Sequence, residues 1–246
     1  MIIAERIDAI RGKIENAAQR SGRKPGEIQL MGVSKFHNED KVEEAVKAGL
    51  LLFGESRVQE ALKKYPALKE KYPDLCLHLI GSLQRNKVKN IPGLFDGIQS
   101  VDRDELINAL GNATSESMKA GTTLPVLLEM HTGEESKTGY PGEDALCRAA
   151  ELALSFPGLK LSGLMTMAPF TQDEKEIRQS FKKLAAARVR LEQCFPQTDF
   201  SCLSMGMSND FELAIEEGST LVRIGTALFG SPSGNHTDIS QVGEQQ

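Results

Sequence analysis

The chain has 246 residues, 40% hydrophobic and 26% charged, a balance that suits a folded globular protein and excludes a disordered or fibrous one. With 29 Lys and Arg against 34 Asp and Glu, the net charge of −5 argues against nucleic acid as a partner, because phosphate backbones demand concentrated positive charge. The opening Met-Ile-Ile-Ala-Glu-Arg puts charges where a signal peptide needs an apolar stretch, and no apolar run approaches the ~18 residues of a membrane span, so the expectation is a cytoplasmic protein with no membrane partner.

A helix opens the chain: Ile3, Ile7, Ile10 and Ile14 share one face, and Ser21-Gly22 stops it. After Pro25-Gly26, residues 28–33 read as a buried strand running into Ser34-Lys35. Asn38 caps a helix over 39–48, which ends at Gly49. Residues 50–53 form a second strand closing on Gly54-Glu55, and a helix follows over 58–68. The beat then repeats, with strands at 75–80, 97–101, 125–130, 159–165, 200–203 and 221–224. Between and after them come helices near 84–90, from 103, over 142–155, from 173, over 209–217, and a short one through 228. The helix from 173 is the clearest, with a stripe of Ile177, Phe181, Leu184, Ala187, Leu191 and Phe195.

Eight strands, each followed by a helix, imply a parallel sheet. Eight such units in about 200 residues fit a closed α/β barrel of the (β/α)8 TIM type, with one extra N-terminal helix, better than an open sheet. A doubly wound sheet would more often carry G-x-G-x-x-G after its first strand, where this chain has Gly32-Val33-Ser34-Lys35. No linker divides the chain, so 1–230 reads as a single domain and the Ser/Gly/Gln-rich 231–246 as a frayed tail.

In such a barrel the carboxyl ends of the strands share one chemically active face. Lys35 follows a buried strand directly, so its amine is expected to reach indoors, into the barrel mouth, where it could attack a carbonyl. The plain competing reading is a surface lysine. Arg223 sits inside an apolar strand and needs a buried partner. Gly225-Thr226 opens a short helix suited to a phosphate, and Ser208 with Asn209 provides the matching loop after the seventh strand. Read singly, these are a helix cap and a turn; read together with Lys35 they make one site. Met165, Met167, Met205 and Met207 flank the expected pocket as ring contacts or as core filler.

Other features carry less. His37, His78, His131 and His236 form no ligand-spaced pair, so no metal is expected, and His78 reads as a satisfied core histidine. Cys76, Cys147, Cys194 and Cys202 show no C-x-x-C spacing and read as reduced thiols. The basic patch from Arg85 to Lys89 reads as a solvated helix face, and Lys137 as either a second amine near the mouth or a loop charge.

Several motifs then carry a resemblance. They are Val33-Ser34-Lys35, Phe53-Gly54-Glu55, His78-Leu79-Ile80-Gly81-Ser82-Leu83-Gln84, Ser136-Lys137-Thr138-Gly139, Gly163-Leu164-Met165, Leu203-Ser204-Met205-Gly206-Met207-Ser208 and the run 218–230. In unbroken order over about residues 5 to 230, the chain resembles the pyridoxal phosphate homeostasis protein family, whose members look like the N-terminal barrel of alanine racemase. The resemblance implies pyridoxal 5′-phosphate held as an internal aldimine on Lys35. It also implies phosphate contacts from Ser208, Gly225 and Thr226, with Arg223 facing the pyridine nitrogen. Ser56 stands where the family usually has Asn, a shorter donor beside the ring, and Leu77 where it usually has an aromatic.

An arginine at the ring nitrogen disfavours its protonation and weakens the ring as an electron sink. Alanine racemase also uses a tyrosine base from a second domain. Here Tyr65 and Tyr72 read as remote from the mouth, and only Tyr140 as near it. The resemblance therefore favours a carrier or buffer of pyridoxal phosphate with no strong catalysis. Its partners would be amino acids and apoenzymes that need the cofactor, and a monomer is the default. The alternatives are a weak amino acid racemase and a cofactor-free Schiff-base aldolase.

Overall fold

A computed structural model describes residues 2–117, 121–133 and 138–231; all but the first residue of the tail expected over 231–246, and Lys137, lie outside them. Eight parallel strands close into a barrel in the order β1 to β8, with β1 pairing back to β8. The strands are β1 (Gln29–Val33), β2 (Leu52–Glu55), β3 (Cys76–Leu79), β4 (Gly97–Val101), β5 (Leu124–Glu129), β6 (Leu159–Met165), β7 (Cys202–Ser204) and β8 (Leu221–Ile224). Around them lie α1 (Ile3–Arg20), α2 (Glu39–Lys47), α3 (Val58–Lys71), α4 (Asp104–Ser117), α5 (Glu143–Leu154), α6 (Glu174–Cys194), α7 (Phe211–Glu216) and the single turn α8 (Thr226–Phe229). The TIM-type barrel is thus present, closed rather than doubly wound.

The sequence places most elements within a residue or two. Ile3, Ile7, Ile10 and Ile14 are all buried, and Asn38 caps α2 by accepting from the Lys41 N–H. Three expectations need correction. β2 begins at Leu52 because Leu50 packs inward from the preceding turn while Leu51 is exposed; apolar character marks burial, not extension. β7 is likewise displaced and covers only Cys202–Ser204. The segment after β3, Arg85–Asn90, is a 3-10 helix, which leaves Arg85 and Lys89 exposed, as a solvated patch should be.

Between β5 and β6 the pairing steps from Val126↔Leu161 to Leu127↔Gly163, a one-residue bulge. Gly163 has φ 148, and a Cβ there would lie 1.9 Å from the Cys202 carbonyl oxygen. Only glycine fits. Gly163→Ala is expected to cost about 2–3 kcal/mol in a urea melt, through strain and forced separation of β6 from β7; an unchanged midpoint would refute this account of the bulge.

Candidate functional site

At the carboxyl ends of the strands a cavity of about 370 Å³ opens, within the usual range for small-molecule sites. Lys35, Ser56, Ser208, Arg223, Gly225 and Thr226 all line it, so six of the seven residues singled out by sequence converge. Met165 does not. It is the last residue of β6 and 1% exposed, and Met167 and Met207 reach the cavity instead. Met205 is fully buried elsewhere. Two larger, more open depressions of about 470 and about 790 Å³ lie at the opposite end of the strands, the larger lined by Arg23, Arg188, Gln29, Ser201 and Thr220 but by none of the seven residues expected at the site.

Lys35 is exposed, contrary to the expectation that its amine lies indoors. Burial along β1 stops at Ser34, and the chain then turns, leaving the lysine in the open part of the mouth with its Nζ 5.8 Å from the Phe36 ring centre. Phe36, at φ 67, is the only non-glycine at positive φ among the described residues. A phenylalanine held there is strained. The restraint comes from Lys64, a buried lysine on the inner side of α3. Its Nζ donates to the carbonyls of Ser34 (2.9 Å) and His37 (2.8 Å), which bracket Lys35 and Phe36, and to Glu55 Oε1 (2.5 Å). Ser34 Oγ donates to the same Glu55 oxygen (2.8 Å) and shares a hydrogen bond with the Tyr65 hydroxyl (2.6 Å). Burial pushes the Glu55 carboxyl above the usual range, with Lys64 pulling it back. Glu55 Oε2 has no hydrogen-bond partner among the described residues.

Tyr65 is therefore not remote from the mouth, as sequence suggested. α3 continues through Pro66 to Lys71, and its inner face carries Tyr65 beneath Ser34. It is fully buried, its phenol is held well above the usual range by burial and then by Glu55, and it does not line the cavity. Tyr140 donates to Asp104 (2.9 Å) and Tyr72 to Glu43 (3.1 Å), and neither lines the cavity.

On the floor lies Arg223, 4% exposed. Its Nη1 donates to the Ser204 carbonyl (2.7 Å) and Oγ (2.6 Å), and its Nη2 to the Thr166 carbonyl (2.8 Å). Ser204 Oγ passes the bond on to Gln99 Oε1 (2.7 Å), and the Gln99 amide meets His78 Nδ1 (3.0 Å). The buried arginine thus has the partners its cost requires. Burial draws its pKa down to about 10, while Asp210 and Glu129 hold it up, so it stays cationic at neutral pH. Burial likewise pushes His78 down to about 4, keeping it a neutral acceptor, the satisfied core histidine expected.

At the anion side, the Ala227 N–H of α8 donates to Ser208 Oγ (3.4 Å), joining the loop after β7 to the start of α8. The first N–H groups of a helix have no intrahelical partner and point out of its end. The cavity thus offers an amine, the hydroxyls of Ser56, Thr171, Ser208 and Thr226, helix-start amides and a buried cation. Among the described residues no group of three potential metal ligands occurs.

Sequence reading misses Lys64 and Gln99, and it quotes Glu55 and Ser204 within motifs without giving either a role. One signal existed: Lys64 follows Ala61 by three positions on the apolar face of α3, where an unpaired lysine is expensive.

The alanine racemase N-terminal domain family matches residues 6–232. The pyridoxal phosphate homeostasis protein of Aquifex aeolicus is 40% identical over 230 residues, covering 94% of this chain and 98% of its own. That of Vibrio cholerae is 39% identical over 231 residues, covering 93% of this chain and 95% of its own. PipY of Synechococcus elongatus, solved with PLP bound, superposes with a TM-score of 0.80 at 34% identity, covering 93% of this chain and all of PipY (100%). Alanine racemase of Clostridium difficile shares the fold alone, at 12% identity and a TM-score of 0.70.

Proposed function

Because the chain belongs to the pyridoxal phosphate homeostasis protein family, built on the alanine racemase N-terminal domain, we propose that this cavity holds pyridoxal 5′-phosphate (PLP) reversibly on Lys35. The observation that carries the reading is the convergence of Lys35, Arg223, Ser208 and Thr226 on one cavity. The donor set fits the group. Ser208, Gly225 and Thr226 would hold the phosphate, Arg223 would face the ring nitrogen, and Ser56 and Met167 would flank the ring. When bound, the cofactor supplies an aldehyde that condenses reversibly with a primary amine.

The residues of this chain bind and orient rather than transfer protons. Arg223 is a fixed cation that opposes protonation of a ring nitrogen beside it. Among the described residues no tyrosine lines the cavity to take or return a substrate proton. The mouth stands open, with Phe170 92% exposed at its rim, which suits exchange with solvent. The reading is of a single-domain carrier or buffer in the cytoplasm, a monomer passing PLP to amino acids or apoenzymes. Among the described residues no helix is long and apolar enough to cross a membrane. Racemase activity is the competing reading, and polarimetry decides: loss of optical rotation from an L-amino acid well above the rate with free PLP would overturn the carrier.

The phosphate assignment has its own test. Ser208→Ala combined with Thr226→Ala removes two hydroxyl donors, each worth about 0.5–1.5 kcal/mol, so retention of PLP in dialysis should weaken roughly tenfold. Unchanged retention would move the phosphate elsewhere.

A further inference from the structure

The four cysteines are not alike. Cys76 and Cys202 are half-buried in the barrel wall, and burial pushes each thiol up to about 11. Cys147 on α5 and Cys194, the last residue of α6, lie side by side with their sulfurs 3.8 Å apart. Cys194 is exposed and Cys147 half-buried. The two are 47 positions apart in sequence but meet because α5 and α6 pack together. Sulfurs in contact need only small side-chain rotations to reach bonding distance, and Cys194 gains freedom from its place at the helix end.

We propose that Cys147 and Cys194 form an oxidation site for hydroperoxides, closing to an intramolecular disulfide that staples α5 to α6. The exposed Cys194 meets the oxidant first. Its thiolate attacks a peroxide oxygen, the O–O bond breaks, and a sulfenic acid forms while the leaving hydroxide takes a proton to become water. Cys147, whose thiol already points at the Cys194 sulfur, loses its proton and attacks that sulfur; the S–O bond breaks and a second water leaves. Two thiols and one hydrogen peroxide thus give one disulfide and two waters, two electrons passing from sulfur to oxygen. The geometry is specific to this pair: no other two cysteines of the chain are in contact among the described residues. The inference is independent of the PLP site, since neither cysteine lines that cavity.

The test treats the full-length protein with hydrogen peroxide, alkylates the remaining thiols, and maps peptides without reduction. The expected product is monomeric, lighter by two hydrogens, linked between residues 147 and 194, with Cys76 and Cys202 still alkylated. Its Tm should rise by roughly 5–10 °C, reversed by dithiothreitol, because a long loop has been closed. Cys147→Ser and Cys194→Ser should each abolish the linked peptide, and the Cys147→Ser protein should accumulate sulfenic acid at Cys194 that a dimedone probe captures. Loss of Cys76 or Cys202 at an equal rate, a bond between two molecules, or over-oxidation of Cys194 with no linked peptide would each overturn the proposal.

Discussion

Lys35→Ala protein should emerge colourless from a preparation in which the parent is yellow, and borohydride should fix no cofactor to it. The lysine is exposed and its side chain makes no hydrogen bond among the described residues, only a 5.8 Å approach to the Phe36 ring, so its removal should change stability by no more than about 0.5 kcal/mol. The same change removes the cavity-lining amine, leaving only the phosphate and ring contacts. Retention of PLP should then fall on the order of 100-fold or more, a loss of about 3 kcal/mol. Absorbance spectroscopy of the dialysed protein, with peptide mapping after borohydride, reads both quantities. A borohydride-stable label surviving in Lys35→Ala would place the attachment on another lysine and end the present assignment.

The second large effect concerns Lys64. Lys64→Met keeps the length of the side chain but leaves Glu55 buried at 0% exposure beside Ser34 and Tyr65. Stranding one partner of a buried ion pair costs about 3–5 kcal/mol, which for a chain of this size lowers Tm by roughly 6–20 °C. The loss should depend on pH. Burial already raises the Glu55 pKa in the folded state, and without Lys64 it rises further. A folded-state pKa above the unfolded value means the native state holds the extra proton. The stability from that proton is present below the unfolded pKa and is lost as pH climbs through the folded one. The variant should therefore melt higher at pH 5 than at pH 8, with a larger difference than the parent shows. Differential scanning fluorimetry at the two pH values suffices, and a pH-independent deficit would show that Glu55 is not the stranded group. Because Lys64 also grips the carbonyls on both sides of Lys35 and Phe36, the variant should hold PLP less tightly as well.

The barrel was legible because strand and helix periods alternate cleanly, and the site because the carboxyl ends of strands must share a face. Lys35, Arg223, Ser208 and Thr226 each follow or interrupt an apolar run, and that interruption is what a sequence displays. The failures have a common physical origin. Alternation along a strand reports which side a residue faces but not its height in the barrel, so it does not tell Met165 from Met167, the one that reaches the cavity. Height also decided Lys35, which the run of buried residues ahead of it made look enclosed. Tyr65 lies inside the helix expected over 58–68, but its place beneath Ser34 is a contact between residues 31 positions apart, which helix periodicity alone does not report. The relay from Arg223 through Ser204 and Gln99 to His78 joins residues from three further strands, and no local pattern reports a contact of that range.

Closure of the barrel has a consequence for synthesis on the ribosome. β1 is finished at Val33, yet one of its two neighbours, β8, starts at Leu221. At about 5–20 residues per second, the nascent chain carries a bare strand edge for roughly 10–40 s before its last neighbour arrives. α1, which packs on α7 and α8, lacks most of its seat for as long. A stalled chain ending before residue 221 should expose both to protease, whereas the released 246-residue protein should not. That interval, rather than the finished molecule, is when this protein is most open to mispairing and to chaperones.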